Sequence, residues 1–194
     1  MAGMTRVYIA CSLDGFISGV NDDLLWLNEF QNEVVEDEDF IDPEALQYEQ
    51  FIADVGVILM GRRTFDVVNA MDCDWPYQDQ SVLVASHRAL PASHSAVANS
   101  SGMLTQQAGS ITELHARARE IAGDKDIYLD GGQLIRQGLE AGLVDDLILT
   151  MLPVALGAGV SLFSGLETPI QFETVGHYRL SQSMVQLHLR PKQL

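Results

Sequence analysis

Cysteine is almost missing from this chain. Cys11 and Cys73 are the whole supply, which excludes a disulfide framework or a zinc ribbon and fits a reducing cytoplasm. No apolar run reaches membrane-spanning length, and Met1 to Arg6 lacks the hydrophobic stretch of an export signal. The expectation is a cytoplasmic protein with no membrane contact. Cations are scarce too: 11 Lys and Arg stand against 27 Asp and Glu, for a net charge of −16. Nucleic acid is thereby excluded as a partner, because binding a phosphate backbone draws on clustered Lys and Arg. No Lys or Arg lies between Arg6 and Arg62, while Asp22 to Asp54 is dense in carboxylates and reads most simply as a solvated acidic loop. A nucleophile-elbow serine, a His-x-Glu with paired cysteines and a Walker loop are absent, so neither a covalent nucleophile nor a metal site is expected. Without repeats, low-complexity tracts or a linker, the 194 residues at 47% hydrophobic content are expected to form one domain, 1–194.

What is present begins with Val55-Gly-Val-Ile-Leu-Met-Gly-Arg-Arg-Thr64. Val55 to Met60 is apolar, β-branched and short, the pattern of a strand buried on both faces. Gly61 turns the backbone, and Thr64 to Val68 reads as helical. Arg62 and Arg63 therefore fall where a strand passes into a helix N-terminus, a place that favours anions. Asp126 to Ile135 repeats the logic: Ile127 to Leu129 is a buried strand, Gly131-Gly132 a turn, and Gln133 to Ala141 a helix stopped by Gly142. A glycine pair before a helix lets a pyrophosphate approach bare N–H groups. Two such turns suggest a dinucleotide; the plainer alternative is two ordinary strand-to-helix turns.

Met60-Gly-Arg-Arg-Thr64, Gly131-Gly132 and the opening Val7-Tyr-Ile-Ala-Cys-Ser-Leu-Asp-Gly-Phe-Ile17 together resemble the dihydrofolate-reductase-like superfamily. Gly142-Leu-Val-Asp-Asp146, followed by Leu147 to Phe163, is similar to the reductase domain of the riboflavin-biosynthesis deaminase-reductase. The resemblance implies an α/β fold: a three-layer sandwich with a mostly parallel mixed sheet, an antiparallel C-terminal hairpin and helices on both faces. It also implies NADPH as cofactor, hydride transfer to a C=N or C=O group of a small, heterocyclic substrate, and a homodimer. Two further readings stay open: a non-catalytic NADPH-binding or redox-sensing module, and a genuine riboflavin-pathway pyrimidine reductase. A phosphorylated substrate sits poorly beside a carboxylate-rich lid without cations, which argues against the latter.

On this resemblance, Arg62, Arg63, Thr64, Ser86 and Arg88 hold the adenosine phosphates, with Gly61 at the turn, and Gly131, Gly132, Gln133 and Leu134 meet the pyrophosphate. Ala10, Cys11 and Ile17 line the nicotinamide. Asp14 is a candidate catalytic carboxylate, although Asp-Gly is equally a plain turn signal. In dihydrofolate reductases a helix carries a carboxylate four residues before an inward phenylalanine. Counting back from Phe51 puts Gln47 there, and an amide supplies no proton, so Glu44 and Tyr48 on the same helical face become candidate donors. That helix is expected from Pro43 to Ala53, with Asp42 as N-cap. Gln47 and Phe51 are candidate substrate contacts. Trp26 is another, in an acidic lid from Asn21 to Asp42, unless Trp26 and Phe30 merely pack a surface helix.

The rest of the chain is quieter. Ser81 to Ala85 reads as a buried strand, Leu90 to Ser101 as linker-like, and Met103 to Thr105 as a short strand. Ser110-Ile-Thr-Glu113 is a capping box that opens a helix. His115 lies off that helix's apolar stripe and reads as solvated. Leu147 to Leu156 is a strand disturbed at Pro153. Gly157-Ala-Gly159 lacks the third glycine of a dinucleotide fingerprint. Ile170 to Val175 and Ser183 to Leu189 read as a hairpin.

Overall fold

The computed structural model describes residues 3–31, 41–71, 75–77, 79–90 and 102–192. Cys73, most of the lid beyond Gln31 and the linker-like stretch after Leu90 lie outside the described residues. The apolar runs become strands: β1 (Thr5–Ser12), β2 (Phe16–Ser18), β3 (Val55–Gly61), β4 (Ser81–Ala85), β5 (Leu104–Gln107), β6 (Asp126–Asp130), β7 (Asp146–Leu152), β8 (Val160–Ser161), β9 (Phe172–Arg179) and β10 (Val185–Pro191). The helices are α1 (Leu25–Gln31), α2 (Tyr48–Ala53), α3 (Arg62–Asn69), α4 (Ile111–Ala122) and α5 (Gly132–Glu140).

Eight strands form one sheet in the order β5-β4-β3-β6-β1-β7-β10-β9. From β5 to β7 neighbours are parallel, and β10 runs antiparallel to both β7 and β9. Parallel strands need both faces covered, and the core divides accordingly. On one face Val57, Leu59, Ile127, Leu129 and Leu147 pack against Leu114 and Ala118 of α4 and Ile135 and Leu139 of α5. On the other, Ile58, Met60, Tyr128 and Ile148 pack against Phe51 of α2 and Phe65 of α3. The expected sheet, hairpin and two helical layers are thus present. Among the described residues no helix is long and apolar enough to cross a membrane.

Three local expectations need correction. The helix foreseen from Pro43 begins at Tyr48. Asp42 pairs with β9 instead, its N–H donating to Arg179 O (2.9 Å) and its carboxylate accepting from Arg179 N–H (2.6 Å). Gln186, buried on β10, then grips the peptide of Leu46 with both ends of its amide, at 2.8 and 3.0 Å. Residues 42–46 are spent on these long-range bonds, which outweigh a local N-cap. His115 is not solvated: its Nε2 lies 2.7 Å from the buried Thr5 Oγ1. Burial, more than the nearby Arg119, lowers its pKa. β7 ends at Leu152, before Pro153, which has no N–H to continue the ladder.

Candidate functional site

Adjacent parallel strands deliver their C-terminal ends to one edge of the sheet, where ligands of open α/β sheets bind. β3 and β6 are neighbours, with Met60 opposite Asp130, so the two glycine turns lie side by side. They touch: a Cβ on Gly131 would meet Thr64 Oγ1 at 2.3 Å, and Gly131 has φ +90°. Only glycine accepts both conditions. At Gly61 the situation is opposite, because a Cβ there would meet nothing within 4 Å. The backbone at that turn is bare to a cavity.

Helix ends set these turns apart. α4 satisfies its first N–H groups internally, since Ser110 Oγ accepts from Glu113 N–H and Glu113 reaches back to Ser110 N–H. α3 and α5, which start at Gly61 and Gly131, have no side-chain cap. Their leading N–H groups and dipoles face the same space, the arrangement that holds an anion. This space is a cavity of about 1160 Å³ that runs across the strand ends. Its volume suits a dinucleotide and a small second ligand.

Cations line this cavity: Arg62, Arg63, Arg88 and Arg136, with Ser86 and His87. Arg62 bonds Asp66 (2.8 Å) and Ala89 O (3.1 Å), so it ties the turn after β4 to α3. Ser86 Oγ donates to Arg88 O (2.8 Å) and shapes that turn. Arg136 holds Ser161 O (2.7 Å) of β8.

Phenols and acids line the same cavity: Tyr8, Gln47, Tyr48, Glu49, Tyr77, Tyr128 and Asp130. The Asp130 carboxylate accepts from Gly131 N–H (2.7 Å) and from the Tyr77 hydroxyl (3.3 Å). Burial nevertheless pushes its pKa up to about 6, because those two bonds offset only part of the cost of burying the charge. Burial, reinforced by the Asp130 charge, raises the Tyr48 phenol as well. Thr150, 3% exposed, also lines the cavity, and its hydroxyl oxygen has no partner among the described residues. A buried hydroxyl without a partner fits a ligand's polar edge, since leaving it unmade is costly.

Most sequence-derived candidates converge here. Ala10, Ile17, Gly61, Arg62, Arg63, Thr64, Ser86, Arg88, Gly131, Gly132, Gln133 and Leu134 line the cavity, as do Gln47 and Tyr48. Five others do not. Cys11, 2% exposed, packs into the core on the α5 side, where burial pushes its thiol up to about 11. Asp14 turns away to hold the segment after β7. It accepts from Ser12 Oγ (2.5 Å), Gly157 N–H (2.7 Å) and Leu156 N–H (3.1 Å), bonds that keep its pKa at about 2. Glu44 is exposed in a turn, because the helix that was to carry it starts later. Phe51 is fully buried, with its ring centroid 4.9 Å from Tyr8 and 5.0 Å from Tyr128. Trp26, 8% exposed, donates to Asp23 O, while its neighbours Leu24 and Leu27 face the cavity.

Asp130 itself escaped the sequence reading. Its signal was an acid at the end of a buried strand, directly before a glycine pair.

A mostly parallel sheet closed by an antiparallel hairpin, with glycine turns gathered over the strand ends, is the architecture of the dihydrofolate-reductase-like superfamily. Within it, the chain belongs to the RibD C-terminal domain family, whose profile matches residues 5–186. The chain is similar to the uncharacterized protein YwjB of Bacillus subtilis, at 28% identity over 188 residues, 97% of this chain and 98% of that one. Among solved structures it is similar to a Shewanella sp. PV-4 protein assigned provisionally to riboflavin biosynthesis. The TM-score is 0.74 at 29% identity, with 98% of this chain and 99% of that chain covered. The bifunctional pyrimidine deaminase and uracil reductase of Thermotoga maritima shares the fold at TM-score 0.67 and 14% identity, over 98% of this chain and 57% of that one.

Proposed function

We propose that this protein is an NADPH-dependent reductase acting on a C=N or C=O group of a small heterocycle that carries no phosphate. One observation carries the proposal. The two helix N-termini without side-chain caps open on a cavity that is also lined by a carboxyl, Asp130, among phenols. Bound at that site, the cofactor would supply the hydride, the difficult part of the chemistry.

The chain's own residues do the rest. N–H groups at the starts of α3 and α5 hold the pyrophosphate, and Arg62, Arg63 and Arg88 take the adenosine phosphates, for which paired guanidinium donors are suited. Ala10, Ile17 and Thr150 border the space left for the nicotinamide and substrate. Asp130, with a pKa near 6, would give a proton to a heteroatom of the substrate held beside it. The Tyr48 phenol keeps its proton at neutral pH, so it acts as a hydrogen-bond donor that orients the substrate. Leu24 and Leu27 cover the mouth and exclude water.

The carboxyls of the cavity are the reason to depart from a riboflavin-pathway intermediate. A substrate phosphate beside Glu49 and Asp130 would be repelled. NADPH oxidation, followed across a panel of unphosphorylated imines, pterins and heterocyclic ketones, should reveal turnover. Rescue of a strain lacking the riboflavin-pathway reductase would overturn the substrate assignment. Tight NADPH binding with no turnover on any class would favour a cofactor-binding module.

A further inference from the structure

The segment between β2 and α1 turns on Asn21 and Asp22, both with left-handed backbones at φ 59° and 62°. It is braced by Gly19 N–H to Asp23 O (2.8 Å) and, more weakly, by Asp23 N–H to Val20 O (3.4 Å). This turn carries the Asp22 carboxylate to α3. There it meets Arg63 in a fork: Nε to Oδ2 at 2.9 Å and Nη2 to Oδ1 at 2.8 Å. Asp22, Leu24, Leu27 and Arg63 all line the same cavity. The guanidinium edge that would grip a phosphate is therefore occupied by an anion of the chain itself.

We infer that Asp22 is a specificity-determining residue for the cofactor: its carboxylate stands in for a phosphate on Arg63 and must be displaced when the phosphorylated nucleotide binds. The inference rests on the NADPH reading above. The guanidinium fork accepts carboxylate and phosphate in the same paired geometry, so the two compete for one edge. The pair is exposed, with Arg63 at 67% and Asp22 at 28%, so its strength is modest and a phosphate can replace it. Displacement also frees the segment that carries Leu24 and Leu27.

The test is calorimetric titration of NADPH and NADH into the wild-type protein and Asp22→Asn, a residue that tolerates the left-handed backbone. The variant should bind NADPH about 2- to 5-fold more tightly, the release of one exposed ion pair worth up to ~1 kcal/mol, with NADH affinity unchanged. Arg63→Ala should abolish the difference between wild type and variant. If Asp22→Asn leaves NADPH binding unchanged, weakens it, or shifts both nucleotides equally, the inference fails while the cofactor assignment stands. If the folded wild-type protein binds neither nucleotide at millimolar concentration, both fall.

Discussion

Asp130 has the environment a catalytic acid needs at neutral pH: burial that raises its pKa to about 6, yet contact with a cavity large enough for substrate. Its proton must be in place before turnover, so kcat/KM should decline as pH rises above about 6. Asp130→Asn should remove that limb and reduce kcat by ~100-fold or more, the usual share of a positioned general acid. Stability should move the other way. The folded-state pKa lies above the free value of 3.8, so the folded protein holds this proton more tightly. That stabilisation is complete below pH 3.8 and is lost as pH rises through 6. At pH 7 to 8 the buried charge is a cost, and Asp130→Asn should raise the unfolding free energy by about 2 kcal/mol in denaturant titrations. A variant both inactive and less stable would contradict this account of the residue.

At the level of elements, the strand-to-helix turns bear the binding argument. Gly61 and Gly131 separate folding from binding. Alanine at Gly131 would strike Thr64 and take a left-handed backbone, so it should destabilise the fold. Alanine at Gly61, whose φ is −74°, would meet open space. Gly61→Ala should therefore unfold within about 1 kcal/mol of wild type. Its nucleotide affinity should nevertheless drop about 10-fold, the ~1.4 kcal/mol of one lost close approach, measured by fluorescence titration. These turns were legible in the sequence because an apolar run, a glycine and a helical stretch are all local signals. So was the capping box at Ser110. The start of α2 was not. Asp42-Pro43 looks like a helix opening, but Arg179 and Gln186, more than 130 residues away, claim that backbone. Glu44 was misplaced for the same reason, since it was assigned to that helix, whereas Phe51 does lie on α2 but is buried between Tyr8 and Tyr128. Asp130 was missed because its role depends on Tyr48 and Tyr77 arriving from other parts of the chain.

The whole molecule opposes its proposed cofactor electrostatically. A net charge of −16 repels an anionic dinucleotide at long range, while the cavity's arginines act at short range. Raising ionic strength from about 0.01 to 0.15 M shortens the screening length from about 30 to 8 Å. The NADPH association rate should then increase severalfold in stopped-flow measurements, whereas a basic binding face would give a decrease. The superfamily fold, with its mostly parallel sheet and C-terminal hairpin, was accessible from motif order. What the motifs left open was the order of the strands and the phenols that join Asp130 in the cavity, because residues far apart in sequence are brought together there by the sheet.

A crystal structure of the protein soaked with NADPH decides whether the two glycine turns hold the cofactor. The pyrophosphate should lie against the bare N–H groups that open α3 and α5, with the nicotinamide C4 facing Asp130 and Tyr48. A nucleotide bound elsewhere, or one whose nicotinamide points away from Asp130, would contradict that reading.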